Sequence, residues 1–437
     1  MLTNLVLVAV WALGIQLSRR VFADVFSPFC IYISSWCICL FLFRLQLLKY
    51  TELEVKTWLL MAGGMLSFSA GCLIFGAFSQ KPRRKQVQVF TSLPWLRVAI
   101  LTLLALDIMG FAFFAMRMSE TYGLETYFTD PRIIRADARE WTSSGAIGVL
   151  MLLCYPLFAA SLIYILESRK LTWLTVLGLL VPAAETYLLT DRLTLVVFFT
   201  CSFFVWIYHS KRTAFDRRAL YLLTGGVICV LVYFIAVGNL YKKLVTPSSP
   251  TFQYSTISGD SELGVRLLDP YVYVTGSFPT FQAAVTDVDH FSWGTQTFYP
   301  AARLLYGIGV LERKPEASDF TFYFVPIPFN TYTWLYSFYC DFGICGVLLV
   351  PGLIGWFETW LYVRMKERPT VFSTSGSAAL AAATTLTVCG FIQYDLILWN
   401  FLMVMFLVSK KTCSARTGSL RSVARRPLAG RNVLRPA

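Results

Sequence analysis

Long apolar runs, separated by short polar connections, dominate this chain. A run of about 18 or more apolar residues with few charges is long enough to cross the hydrocarbon of a bilayer. Such runs stand at Asn4–Leu17, Val25–Leu48, Trp58–Phe78, Trp95–Met116, Ser144–Leu166, Leu171–Leu189, Leu193–Tyr208, Ala219–Gly238, Ile344–Val363, Ser375–Gln393 and Leu396–Val408. A large soluble core would also need many apolar residues, and composition decides against it. Only 14% of the residues are charged, against about 25% in soluble proteins. The expected fold is all-α: a polytopic integral membrane protein with about eleven transmembrane helices. The first and last runs are short, and the pair around Asp395 also fits one broken segment. A signal peptide is the weaker reading of the first run, because no basic residue precedes it and no small-residue cleavage site follows.

Basic residues set the expected orientation, since Lys and Arg concentrate in cytoplasmic loops. Every second connection is basic: Ser18-Arg19-Arg20, Lys81 to Lys85, Arg169-Lys170, Lys211 to Arg218, Arg364 to Arg368, and the tail from Lys410. The expected N-terminus is outside and the tail inside. The net charge of +13 then reads as cytoplasmic anchoring, in touch with anionic membrane lipids. Nucleic acid is not expected as a partner, because the tail is short and no binding fold precedes it. Ten of the eleven Cys lie in or beside apolar segments, and Cys413 is in the tail. They read as small buried hydrophobes. Their absence from the long loop excludes a disulfide framework there.

Four regions follow: membrane helices over 1–239, a large loop over 240–331, membrane helices over 332–409, and a basic tail over 410–437 expected to be disordered. The parity of the basic loops puts the large loop outside. It is rich in Tyr, Phe and Trp, which disordered segments lack. Asp260–Ala284 and Tyr299–Leu311 are expected as amphipathic helices on the membrane surface or folded back over the bundle. A smaller external loop runs from Glu120 to Glu140, with Arg132, Arg135 and Arg139 among its acids.

An external site has neither ATP nor nucleotide sugars, so a reaction there needs a donor already activated. Lipid-linked diphosphates are the obvious choice. Such a site wants cations for the diphosphate, a base for the acceptor, and aromatic faces for sugar rings. Arg suits the first role because it pairs bidentately with phosphate. Arg192, in the tight turn Thr190-Asp191-Arg192, and Arg266 and Arg303 in the long loop are the candidates; the bland reading is local pairing or snorkelling. Candidate bases are Asp269, Asp341 and His290, with Glu262, Asp287 and Asp289 also on that side. Tyr273 is among the aromatic candidates. Asp287-Val288-Asp289 mimics a metal-binding triplet but reads as a chance match. No metal and no cofactor are expected, since no cluster has metal-ligand spacing along the chain. Asp107 is the one carboxylate near the middle of a span; Glu185 is nearer the outer end of its helix and Glu358 nearer the inner end of its own.

The stretch Asn330-Thr331-Tyr332-Thr333, followed by Tyr339-Cys340-Asp341-Phe342-Gly343-Ile344-Cys345-Gly346, resembles the Asn-x-Tyr-Thr…Tyr-x-Asp-Phe-Gly-x-x-Gly signature of Wzy-type O-antigen polymerases. Gly294 to Gly309 is similar to the part of that family just upstream, and Thr190-Asp191-Arg192 sits where the family tends to carry a Ser-Arg turn. The resemblance implies a GT-C-like polymerase or ligase architecture that joins undecaprenyl-diphosphate-linked repeat units on the periplasmic face of the bacterial inner membrane. It implies that Arg192, Arg266 and Arg303 hold the diphosphate, that Asn330 and Tyr332 belong to the substrate site, and that a flippase and a chain-length regulator act beside it. Asp341 reads as a base or as a helix cap. The family's Arg-x10-Gly pattern is not met, because Gly276 comes one residue too early for Arg266. Three rivals remain: an O-antigen ligase, which often relies on a loop His such as His290; a polysaccharide transporter or flippase; and a membrane scaffold.

Overall fold

The computed structural model describes residues 2–79, 92–129, 145–188, 192–240, 245–258, 261–312, 315, 321–390 and 396–423. The helices are α1 (Leu2–Phe22), α2 (Pro28–Arg44), α3 (Val55–Phe78), α4 (Leu93–Thr129), α5 (Gly145–Met151), α6 (Cys154–Ser168), α7 (Trp173–Leu188), α8 (Arg192–His209) and α9 (Arg217–Leu240). The long loop contributes α10 (Pro250–Gln253), α11 (Glu262–Thr275), α12 (Ser277–Thr286) and α13 (Tyr299–Gly307), with strands β1 (Tyr323–Phe324) and β2 (Pro328–Phe329) paired antiparallel. Then follow α14 (Leu335–Glu367), α15 (Val371–Thr385) and α16 (Leu396–Val423).

Among the described residues, six stretches are long and apolar enough to cross a membrane: Asn4–Phe22, Val55–Phe78, Leu93–Gly123, Ile147–Ser168, Arg217–Gly238 and Leu335–Glu367. Pro28–Arg44, Trp173–Thr186 and Leu193–His209 are shorter apolar helices. The chain is thus a helical protein built for several membrane crossings. α15 departs from the expected pattern. It is short and rich in Ser, Thr and Ala, and nearly all of it is buried against other helices. Its start is fixed by a capping box: Thr370 Oγ1 accepts from Ser373 N at 3.0 Å, and Ser373 Oγ accepts from Thr370 N at 2.8 Å. The last helix runs to Val423 and so takes in residues 410–423 of the basic tail; the rest of the tail lies outside the described residues. So does most of the smaller loop, including Arg132, Arg135 and Arg139.

α3 and α14 make the closest helix pair. Between apolar helices in lipid there is little hydrophobic drive to associate, so contact depends on small residues that let backbones approach. Gly71 supplies this: a Cβ there would stand 1.9 Å from the carbonyl oxygen of Gly352. Ser67 Oγ donates to Leu348 O at 2.6 Å, and Cys72 Sγ donates to Gly355 O at 3.3 Å.

Polar contacts gather at the two ends of the bundle. At one end the buried carboxylate of Asp24, between α1 and α2, accepts from Phe26 N at 2.7 Å and from Tyr362 and Lys366 of α14. Val25 N donates to Thr213 O at 3.1 Å, and His209 lies 3.5 Å from Glu167. These are all segments beside the basic connections. At the other end the α2–α3 connection meets the long loop. Lys49 N donates to Tyr254 O at 2.9 Å, Thr256 N to Leu47 O at 3.0 Å, and Glu54 N to Gln282 Oε1 at 2.6 Å. Segments of one parity therefore meet one another, as an alternating chain requires.

The α3–α14 contact gives a direct test. Gly71→Val forces two backbones apart and is expected to cost about 1–3 kcal/mol, the range for overpacking. Thermal unfolding in detergent reads it. Gly225→Ala, where nothing lies within 4 Å of an added Cβ, is expected to unfold no earlier than the parent.

Candidate functional site

The long loop is anchored by α11. Ser261 Oγ accepts from Gly264 N at 3.1 Å and starts the helix. Val265, Leu268 and Val272 recur at i, i+3 and i+7 and are buried, giving one apolar face. That face sits on the α2–α3 connection: the Tyr271 hydroxyl donates to Leu42 O at 3.1 Å and accepts from Leu47 N at 3.1 Å, and Tyr50 and Thr275 share a hydrogen bond of 2.8 Å. The expected helix over Asp260–Ala284 is present but divided at Gly276 into α11 and α12. Arg266 pairs with Glu262 one turn earlier on α11, an exposed contact of the i, i+4 kind, which stabilises little. Asp269 is half-buried on the same helix. Tyr273 is exposed and meets Phe234 and Phe329 edge-on, with centroids 5.6 Å and 6.2 Å away.

Asp341 organises the second part. Its side chain is 0% exposed. Ser292 Oγ donates to Oδ1 at 2.6 Å, Gln296 N to Oδ1 at 3.1 Å and Thr297 N to Oδ2 at 2.6 Å. Ser292 N also donates to Cys340 O at 2.9 Å. The carboxylate therefore ties the 291–298 loop to the first turns of α14. Both oxygens are engaged and the group is shut away from solvent. Its donors come from a loop more than forty residues earlier. Two residues on, Gly343 breaks α14 with φ +59°. A Cβ there would stand 2.9 Å from the ring of Phe291, so the Asp-Phe-Gly stretch is a sharp bend whose glycine is required twice over.

The clamped loop presents aromatic rings. Phe291 and Phe298 are exposed, and Trp293 is 79% exposed. Trp293 holds a left-handed backbone with φ +50°, uncommon for a bulky residue and typical of places where the surroundings impose the conformation. The neighbouring His290 is exposed. Arg303, on α13, is half-buried, with its guanidinium 5.7 Å from the Tyr299 ring centroid and 3.4 Å from its hydroxyl. Leu304, Tyr306, Ile308 and Val310 leave an apolar surface exposed around α13, as in helices that lie in a membrane interface.

The motif residues Asn330 and Tyr332 behave differently. Asn330 is half-buried. Tyr332 is buried, stacks on Tyr336 at 4.5 Å, and its hydroxyl donates to Thr321 O. That makes Tyr332 a support of the β1–β2 hairpin rather than an open contact. Nearby, burial pushes the Tyr323 hydroxyl up to about 12, helped by its hydrogen bond to Asp287 and the charge of that carboxylate. Arg192 is the first residue of α8, and its side chain lies outside the described residues.

One cluster was not foreseen. Asp107 is not isolated: it meets Glu185 and Cys154, their ligand atoms within 4.8 Å of one another. Nothing in the spacing along the chain could reveal this, because the three come from α4, α7 and α6.

Comparisons with protein-family models, curated proteins and solved structures found no match to this chain.

The clamp yields a measurable expectation. Asp341→Asn turns one acceptor into an amide and sets it against the Gln296 and Thr297 N–H groups. Hydrogen bonds to charged groups contribute about 1.5–3 kcal/mol, so hydrogen exchange across 292–298 is expected to quicken by roughly ten- to hundredfold. Exchange in the membrane part of α14 should stay unchanged.

Proposed function

We propose that this chain polymerises undecaprenyl-diphosphate-linked oligosaccharide repeat units into a surface polysaccharide. It works as a multi-pass enzyme of the bacterial inner membrane, with the long loop in the periplasm and about eleven crossings in a GT-C-like layout. The observation that carries this reading is the Asp341 clamp: the residues that carry the family resemblance are those that bend α14 and hold an aromatic loop open at the end of the bundle away from the basic connections. Exposed aromatic faces on a fixed loop suit sugar rings. The apolar surface of α13 suits a site at the membrane surface. An apolar cleft lined by Tyr155, Phe158, Phe198, Cys201, Ala383 and Phe401 suits a prenyl chain.

In this scheme the growing chain is bound through its lipid diphosphate. Arg192, Arg266 and Arg303 neutralise the diphosphate, and a hydroxyl of the incoming unit attacks the anomeric carbon. The bond from that carbon to the diphosphate oxygen breaks, and the lipid diphosphate leaves. With Asp341 hydrogen-bonded to the loop, we assign the hydroxyl proton to Asp269 or His290. No cofactor is needed for this chemistry. Partners are the lipid-linked oligosaccharide, membrane lipids, a flippase and a chain-length regulator; nucleic acid has no place in it.

The buried carboxylates Asp107, Glu185 and Glu358 favour a second reading, transport, because ionisable groups inside a membrane mark ion and substrate pathways. The exposed His290 keeps ligase activity as a third. One experiment separates them. Cells lacking the chain are expected to carry single repeat units on the acceptor lipid, seen as the loss of the polymer ladder with one capped band retained. Loss of every band would instead indicate a ligase or flippase. Arg192→Ala is expected to lower polymer formation by about 10²-fold, the loss typical of one preorganised donor, at normal protein level, with Arg192→Lys rescuing poorly. A normal ladder from Arg192→Ala would remove it from the site.

A further inference from the structure

Asp107 and Glu185 are the least explained polar groups in the bundle. They are 0% and 2% exposed. All four of their carboxylate oxygens lack a hydrogen-bond partner among the described residues. Asp24 and Asp341 are equally buried, yet each accepts three hydrogen bonds. Burying two carboxylates side by side with nothing to neutralise them is the costliest arrangement a membrane interior offers. A cation between them removes both problems at once.

The third member identifies the kind of cation. Cys154 Sγ lies with a carboxylate oxygen from each acid, all within 4.8 Å of one another. Ligands around a tetrahedral ion stand about 3.5 Å apart, given metal–ligand bonds of about 2.0–2.3 Å, so closing on an ion takes only side-chain adjustments. A proton shared between carboxylates has no use for sulfur, and hard cations such as Mg2+ or Ca2+ prefer oxygen alone.

We propose that Asp107, Cys154 and Glu185 form a binding site for a divalent transition-metal ion of the Zn2+ type, buried where α4, α6 and α7 meet. The ion neutralises the two carboxylates and pins three helices that share no backbone connection at that level. The site is independent of the proposed polymerase chemistry, which uses none of the three residues. It also revises the expectation of a metal-free chain, which rested on spacing along the sequence alone.

The full chain, purified in detergent and freed of metal, is titrated with Co2+ as a spectroscopic probe and then with Zn2+. The wild type is expected to take up one Co2+ per chain with thiolate-to-cobalt charge-transfer absorption, and Zn2+ is expected to displace it. Cys154→Ser is expected to abolish the charge-transfer band. Asp107→Asn and Glu185→Gln are expected to weaken Co2+ binding by at least about tenfold, the loss that even outer-shell changes reach. Absence of the band from wild-type protein that is folded and monodisperse would overturn the proposal and leave shared protons as the neutralising charge. Undiminished Co2+ binding by Asp107→Asn and Glu185→Gln would overturn it as well.

Discussion

The backbone contact between α3 and α14 is the constraint on which the rest of the structure leans. Gly71 lets the α3 backbone come up against the carbonyl of Gly352, and no side chain of any other residue fits between them. Once α14 is seated there, its two ends are placed. One end carries Tyr362 and Lys366 to Asp24. The other carries Asp341 to the loop at 292–297. A single packed seam thus sets both the basic end of the bundle and the end that presents the aromatic loop.

The buried carboxylates divide by how they are answered. Asp24 and Asp341 sit at the ends, where backbone N–H groups and side chains are free to converge, and they work as fasteners. Glu358 takes a hydrogen bond from Thr384 at 2.6 Å across α14 and α15. Asp107 and Glu185 lie among helices whose backbone groups are used by the helices themselves, and no donor among the described residues reaches them. Buried carboxylates therefore serve as fasteners at the ends of the bundle and, in the proposed metal site, as ligands.

Much of this was written in the sequence, at the level where sequence speaks. Apolar runs gave the helices because a span needs only length and the lack of charge. The apolar pattern over Asp260–Ala284 announced an amphipathic helix, while the break of α14 at Gly343 did not follow from the sequence. The role of Asp341 did not follow, because its donors come from Ser292, Gln296 and Thr297, far back along the chain. The meeting of Asp107 with Glu185 and Cys154 was equally hidden, since three helices in different parts of the chain supply it. Arg266 is the instructive middle case. Its pairing with Glu262 at i, i+4 is visible in the sequence as local pairing, while the phosphate contact assigned to it is a proposal.

Polymerisation of a lipid-linked sugar requires the clamped loop to face the outer side of the inner membrane. The decisive measurement is labelling of single cysteines, introduced as Trp293→Cys and Lys211→Cys, with a maleimide that cannot cross that membrane. Trp293→Cys should react while the inner membrane is intact, and Lys211→Cys only after it is opened. The opposite pattern would put the aromatic loop in the cytosol, away from any lipid-linked sugar displayed on the outer surface, and would contradict the proposed function.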